Sequence, residues 1–320
     1  MIHHLRRFQV DVQAYDACVE QSEWGTIYGL SWWLDQVSPD WECLVWQEPS
    51  AQLYRAVLPV PVQRRYGIAL VHQPLFCQFL ALYSAEALPV PIQKDFIKAV
   101  LAKYALIARY QLNFPEASVL SSFSELNLRQ LHTHVLSLEA PYETLFQGYN
   151  RDRKMNVKRA YQADWTCRSG SDITPLAEFF RQHHAHQIEG GVHPGAYALL
   201  QTLFDACEKR GYSDLWYAEK DKRVEAGAWF VTFQQRTLYL FNAATPEGRK
   251  KNARTFLIDQ FIRQQAGKQA LFDFESANVP SIAEFYASFG SHVVAYYELR
   301  SNRLPKLIQW LWKLKNRLLG

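Results

Sequence analysis

Thr237-Leu238-Tyr239-Leu240-Phe241-Asn242-Ala243 reads as a strand, Thr245-Pro246-Glu247-Gly248-Arg249-Lys250 as a polar loop, and 251–265 as a helix that Gly267 ends. A strand, a polar loop and a helix in direct succession place backbone N–H groups at a helix start. Free donors and the helix dipole make such a start a site for an anion. Arg249, Lys250 and Lys251 add fixed positive charge there, with Asn252 beside them. Cations at a helix N-terminus oppose the dipole and are mildly unfavourable unless an anion is bound. The competing reading is a solvated basic turn, because Gly248 is the loop's lone glycine and no glycine-rich phosphate pattern is present.

Working outward, strands are predicted over 214–218 and 224–233, with turns at Lys220-Asp221-Lys222 and Gln234-Gln235-Arg236. A strand over 164–169 and helices over 175–187 and 196–210 precede them; His193-Pro194-Gly195 opens the second helix and Gly211 closes it. Downstream come a strand over 270–274, a helix over 280–288 and a strand over 292–299. The second half is therefore ordered β-α-α-β-β-β-α-β-α-β.

The first half is a worn version of this order. Helical spacing covers 11–21 and 31–37, and strands are predicted over 41–46, 53–61 and 67–71. Val90-Pro91 opens a helix over 93–104, with Phe96, Ile97, Val100, Leu101 and Tyr104 on one face. Strands over 107–113, 118–123 and 132–138 follow. Tyr142, Leu145, Phe146 and Tyr149 then recur at helical spacing, ahead of a basic helix from Arg151 to about Gln162. We expect an α/β (α+β) protein with domains at 1–140 and 164–300, a connecting basic helix at 141–163 and a basic amphipathic helix at 301–320. No close internal repeat is visible, so the duplication rests on element order.

Composition agrees. The 320 residues are 48% hydrophobic and 21% charged, enough for one or two packed cores. A net charge of +4 implies neither nucleic acid nor membrane by itself. Cys18, Cys43, Cys77, Cys167 and Cys207 are odd in number and form no CxxC pair, which points away from a disulfide framework or zinc site and toward a reducing compartment. The start, Met1 to Phe8, lacks the apolar core of a signal peptide, and no stretch reaches the ~20 apolar residues of a membrane-spanning helix. The expected location is the cytoplasm. His183, His184 and His186 lack a convincing further ligand, so no metal is expected. Cys167 and Cys207 read as small core residues.

The element order resembles that of the GNAT acyltransferase fold. Phe272-Asp273-Phe274-Glu275-Ser276, followed by Ile282-Ala283-Glu284-Phe285-Tyr286-Ala287-Ser288-Phe289-Gly290, resembles a segment of the FemAB-like transferases, in which a strand ending Asp-Phe-Glu-Gly precedes a helix ending aromatic-x-x-Phe-Gly. Tyr149, Arg153, Asn156, Val157, Lys158, Arg159 and Ala160 resemble the basic helix before that family's second domain, and Ser31-Trp32-Trp33-Leu34-Asp35 its opening helix. The resemblance implies two GNAT domains and transfer of an acyl or aminoacyl group to an amine, with acyl-CoA or aminoacyl-tRNA as co-substrate and no tightly bound cofactor. It also implies a place in cell-envelope or peptidoglycan metabolism. Two departures bear on the tRNA-dependent function: Ser276 replaces the family's glycine, and the long helical arm of tRNA-dependent members is missing. A duplicated GNAT scaffold that only binds is the other reading.

Within that fold the 248–252 loop would cradle the carrier's phosphates and Asn242 would stand beside the acyl group. Asp273 and Glu275 alternate with two phenylalanines and are expected on one face of a strand, as a general base for the amine or as structural carboxylates. Tyr286 is either the acid for the leaving group or a packing residue. Arg151 to Arg159, with five cations and one acid, is a contact for phosphate, RNA or glycan, or else a solvated face with Val157 and Tyr161 turned inward. The leucine stripe over 304–318 is a capping helix or a membrane-surface helix.

Overall fold

The computed structural model describes residues 2–47, 53–65, 67–188, 190–275, 279–306 and 308–309. The chain forms two compact units, 1–131 with 296–320, and 132–295. Each is described on its own.

The first unit opens with a strand, β1 (Ile2–Arg6), ahead of the helical spacing that begins at residue 11. Then come α1 (Val12–Gln21), α2 (Ser31–Val37), β2 (Glu42–Trp46), β3 (Ala56–Val60), β4 (Val62–Arg65), β5 (Ile68–His72), β6 (Leu80–Ala81), β7 (Tyr83–Ser84), α3 (Val90–Lys103), β8 (Leu106–Asn113) and α4 (Ala117–Ser121). Asp11 caps α1 by accepting from the Ala14 amide. One sheet runs β1-β2-β3-β7, while β4, β5 and β8 pair side by side in a second, to which β6 also adds along β8. Trp33, Trp41, Tyr15, Tyr28, Tyr83 and Tyr110 are fully buried between these elements. The predicted strand over 118–123 is instead the short helix α4. Val119 and Leu120 are adjacent and both buried, and the Ser121 and Ser122 hydroxyls bond carbonyls three residues back, which a strand would not permit.

Next are β9 (Asn127–Ser137), α5 (Tyr142–Gly148), α6 (Arg151–Gln162), β10 (Thr166–Gly170), α7 (Thr174–His183), α8 (Pro194–Glu208), β11 (Ser213–Lys220), β12 (Arg223–Phe233), β13 (Arg236–Ala244), α9 (Pro246–Lys250), α10 (Ala253–Gln265), β14 (Leu271–Asp273), α11 (Pro280–Ala287) and β15 (His292–Asn302). In the second unit the sheet order is β10-β11-β12-β13-β14-β9. Every neighbour is antiparallel except the β13–β14 pair.

These units differ from the boundaries expected from sequence. Residues 135–137 of β9 pair with β14, which assigns 132–140 to the second unit. Conversely, 297–302 of β15 pair with β8 of the first unit. The segment 141–163 is not a free connector. Leu145 of α5, Val157 and Ala160 of α6, and Tyr149 between them lie in one core with Phe256, Phe261, Phe272 and Phe289. Turn composition marks where the chain bends; strand pairing decides which body a segment joins. Cys167, expected in the core, is exposed on the edge strand β10, whereas Cys207 is buried. The stripe expected over 304–318 falls mostly outside the described residues.

A bulge in β13 sets the two faces of the second sheet. Trp229 of β12 lies opposite Phe241 and Phe230 opposite Tyr239, so Leu240 is the extra residue. Phe241 then packs on Phe180 of α7, ring centroids 4.9 Å apart, while Tyr239 faces Phe272 and Tyr286 on the α10 side. Without the bulge, residues two apart would share a face.

Candidate active site

β13 and β14 pair in parallel through Arg236–Leu271, Thr237–Phe272 and Leu238–Asp273 only. β13 continues to Ala244, but β14 ends at Asp273. Beyond Leu238, β13 and β14 form no further pair among the described residues. A cleft at the carboxyl end of parallel strands is where α/β sheets place ligands.

Five polar side chains belong to the elements around this point. Asn242, at the end of β13, accepts from Arg254 Nη1 at 3.1 Å. Arg254 is in the first turn of α10. Tyr286 of α11 is buried with its ring 6.1 Å from that of Tyr239. Burial pushes the Tyr286 phenol up to about 12, with Arg254 and Asn242 pulling it down and Glu275 pushing it up. Glu275 has φ 49°, a left-handed conformation that costs a glutamate steric strain. Its Oε1 is buried with no hydrogen-bond partner, and burial raises its carboxyl to about 8. The Tyr239 hydroxyl is also buried and unpartnered.

Asp273 is not part of this group. It is fully buried, takes hydrogen bonds from Thr133 Oγ1 at 2.7 Å and the Glu275 amide at 3.0 Å, and pairs with Arg236 at 2.9 Å. The strand alternation expected to place Asp273 and Glu275 on one face stops at Asp273. Asp273 secures the strand end and, through the Glu275 amide, the backbone turn that carries Glu275.

The segment after β13 is a short helix rather than a loop. Thr245 caps α9 by accepting from the Gly248 amide at 3.0 Å and donates to Glu225. Gly248 is buried against β12, where a Cβ would collide with the carbonyl oxygen of Glu225. Close packing explains this glycine without a phosphate. Lys251 pairs with Glu247 at 2.6 Å, one turn back, so its charge is answered locally, while Arg249 and Lys250 are exposed. Asn252 adopts the left-handed conformation, φ 59°, just before α10 and gives no side-chain cap. The first amides of α10 are thereby left without a side-chain partner.

Sequence reasoning missed Arg254, Arg153, Tyr239 and His184. His184 stacks on Phe180 and lies 3.3 Å from both backbone polar atoms of Ala244; burial first, then Arg254, lower it to about 4, so it is neutral near pH 7. Arg153 had been read as one cation of a helix that either contacts phosphate, RNA or glycan or presents a solvated face. It is buried instead, donating through Nε to Ser288 Oγ at 2.8 Å and through Nη1 to Thr255 Oγ1 at 2.7 Å, against the rings of Phe285 and Phe289. The aromatic-x-x-Phe-Gly pattern acquires its reason here: Phe289 is buried, and Gly290 at φ 77° passes so close to Gly148 that a Cβ would lie 2.9 Å from its carbonyl oxygen. Arg254 was legible as the cation two residues beyond Asn252, but only the packing of α10 beside β13 gives it a partner in Asn242.

The acetyltransferase (GNAT) domain family matches residues 149–275, the stretch from the start of α6 to Glu275. Among solved structures, FemX superposes with a TM-score of 0.65 at 11% identity, covering 98% of this chain and 99% of that one. A tandem GNAT protein from the clavulanic acid biosynthesis pathway gives 0.55 at 12% identity, covering 96% and 100%. A GNAT-family acetyltransferase from Colwellia psychrerythraea gives 0.52 at 11% identity, covering 94% and 99%. The chain has the double-GNAT, FemAB-like fold. At these identities the likeness is one of fold, and no curated protein matches the chain in sequence. Among the described residues no helix is long and apolar enough to cross a membrane.

Proposed function

We propose that the chain is an acyltransferase that moves an acyl or aminoacyl group from a phosphate-bearing carrier to an amine, in the cleft where β13 and β14 part. The observation that carries this reading is the carboxyl of Glu275, two residues past the end of β14, whose Oε1 is buried with no hydrogen-bond partner. A carboxyl with its affinity for protons raised toward neutrality is suited to taking a proton from an amine. The uncapped first amides of α10, with Arg249 and Lys250 exposed nearby, suit the carrier's phosphates. Asn242 and Arg254 are donors for the carbonyl oxygen as negative charge develops on it. Tyr286 is placed to return a proton to the leaving atom. Direct transfer would gain mainly from positioning and from these fixed donors. Acyl-CoA and aminoacyl-tRNA are the two donor classes proposed, in a cytoplasmic setting.

The test is titration of the full-length protein with acetyl-CoA and, separately, with aminoacyl-tRNA. Saturable binding of either donor, weakened by R249E with K250E, supports the reading. Absence of saturable binding of both would leave a scaffold that no longer catalyses.

A further inference from the structure

In the first unit, residues from the ends of β1 and α2, the start of β2 and strand β4 line a recess of about 650 Å3. Two of its carboxylates are fully engaged. Arg7 forks onto Asp35, Nε at 2.5 Å and Nη2 at 2.8 Å, and Trp41 Nε1 donates to the same carboxylate at 2.8 Å. Glu42 is only 2% exposed and takes three donors: the Tyr104 hydroxyl at 2.5 Å, His4 Nε2 at 2.6 Å and Arg64 Nη2 at 2.6 Å. Arg6 is left over. It lies directly across the β1–β2 ladder from Glu42, so both side chains leave the same face of the sheet. That carboxylate is already occupied, and among the described residues Arg6 forms no ion pair. The third acid of the recess, Asp40, is exposed and likewise in no ion pair. Arg64 reaches Glu42 through one nitrogen, and its side chain is 48% exposed, so the rest of its fork faces solvent. Phe8, 76% exposed, and Pro39 supply an apolar wall.

We propose that this recess binds a phosphate monoester carried on a flat apolar group. Arg6 and Arg64 hold the phosphate, and the flat group lies on Phe8 and Pro39. Forks from two different strands suit the three terminal oxygens of a phosphate, whereas a single fork already satisfies both oxygens of a carboxylate. Glu42 acts as a positioning residue: its three donors fix the carboxylate, which in turn fixes Arg64. Arg7 is answered by Asp35 and serves as a wall. The site draws on residues of the first unit alone and does not rest on the transferase reading.

The experiment is calorimetric titration of the full-length protein with phenyl phosphate, with methyl phosphate, benzoate and phenol as controls. Phenyl phosphate is expected to bind at least about tenfold more tightly than any control. R6Q breaks no ion pair and should weaken both phosphates by about tenfold or more. R64K keeps a charge for Glu42 but loses the fork, and should weaken them as well. F8A should bring phenyl phosphate down to the level of methyl phosphate and leave methyl phosphate unchanged. R249E with K250E should leave phenyl phosphate binding as it is in the wild type, which separates this recess from the phosphate contact proposed beside α10. No saturable binding of phenyl phosphate into the tens of millimolar, or binding unchanged in R6Q, would overturn the proposal. Benzoate bound as tightly as phenyl phosphate would overturn the assignment to a phosphate.

Discussion

Arg254 Nη1 donates to Asn242 Oδ1 at 3.1 Å, joining α10 to β13. Asn242 is part of the strand that loses its β14 neighbour, and Arg254 of the helix that follows it. The contact therefore ties the first turn of α10 to the C-terminal part of β13. R254Q removes a charge-assisted hydrogen bond of about 1.5–3 kcal/mol. In an acyl-transfer assay kcat/KM should fall roughly 10- to 100-fold, with little change in Tm because Arg254 is only half-buried. A loss of Tm matching the loss of activity would make the contact structural.

Glu275 offers a cleaner separation of base and scaffold. E275Q keeps shape and removes the titrating group, and turnover should fall about 100-fold or more if proton removal is made there. Wild-type activity should rise with pH through about 8, where this buried carboxyl ionises, and E275Q should lack that rise. An unchanged profile in the variant would assign proton removal to water or another group.

The same carboxyl makes a prediction for stability. Its folded-state pKa is raised above that of the unfolded chain, so the folded protein binds the extra proton between the two values. Its contribution is fully present below the unfolded carboxylate range and is lost as pH rises through about 8. Wild-type Tm should therefore fall more steeply than that of E275Q between pH 5 and 9, and at pH 9 E275Q should be the more stable protein. Parallel curves by differential scanning calorimetry would show Glu275 to be solvated.

Gly248 tests the packing of α9. In G248A the new methyl would strike the Glu225 carbonyl, and backbone offers no cheap retreat. Overpacking of this kind costs about 1–3 kcal/mol, so Tm should drop by several degrees. Donor binding should weaken in step, since α9 leads directly into the first turn of α10. A variant with wild-type Tm would mean that α9 shifts freely.

Arg153 should behave as a positioning residue. R153K retains charge but has no planar fork to serve Ser288 and Thr255 together or to pack against two rings. R153K is expected to lower kcat more than it raises KM for the donor. Equal effects on both, or on Tm alone, would point to general loss of structure.

Local patterns determined much of this protein. Apolar runs, proline starts and terminal glycines define the strands and helices of the second half within a few residues, because those signals act over one turn of chain. The resemblance to the GNAT fold, rather than those signals, pointed to Asn242, Glu275 and Tyr286 as site residues. Tertiary structure decided what local pattern cannot encode. The Leu240 bulge turned Tyr239 onto the face of Tyr286 and sent Phe241 to α7, although alternation puts Tyr239 and Phe241 together. The end of β14 at Asp273 divided two acids that alternation had paired, tying one to Arg236 and leaving the other without a partner. Arg153 packs against the rings of Phe285 and Phe289, residues more than a hundred positions away. Residues 135–137 of β9 took β14 as a partner. In each case the deciding term is burial or pairing with residues remote in sequence, whose positions exist only once the sheet has formed.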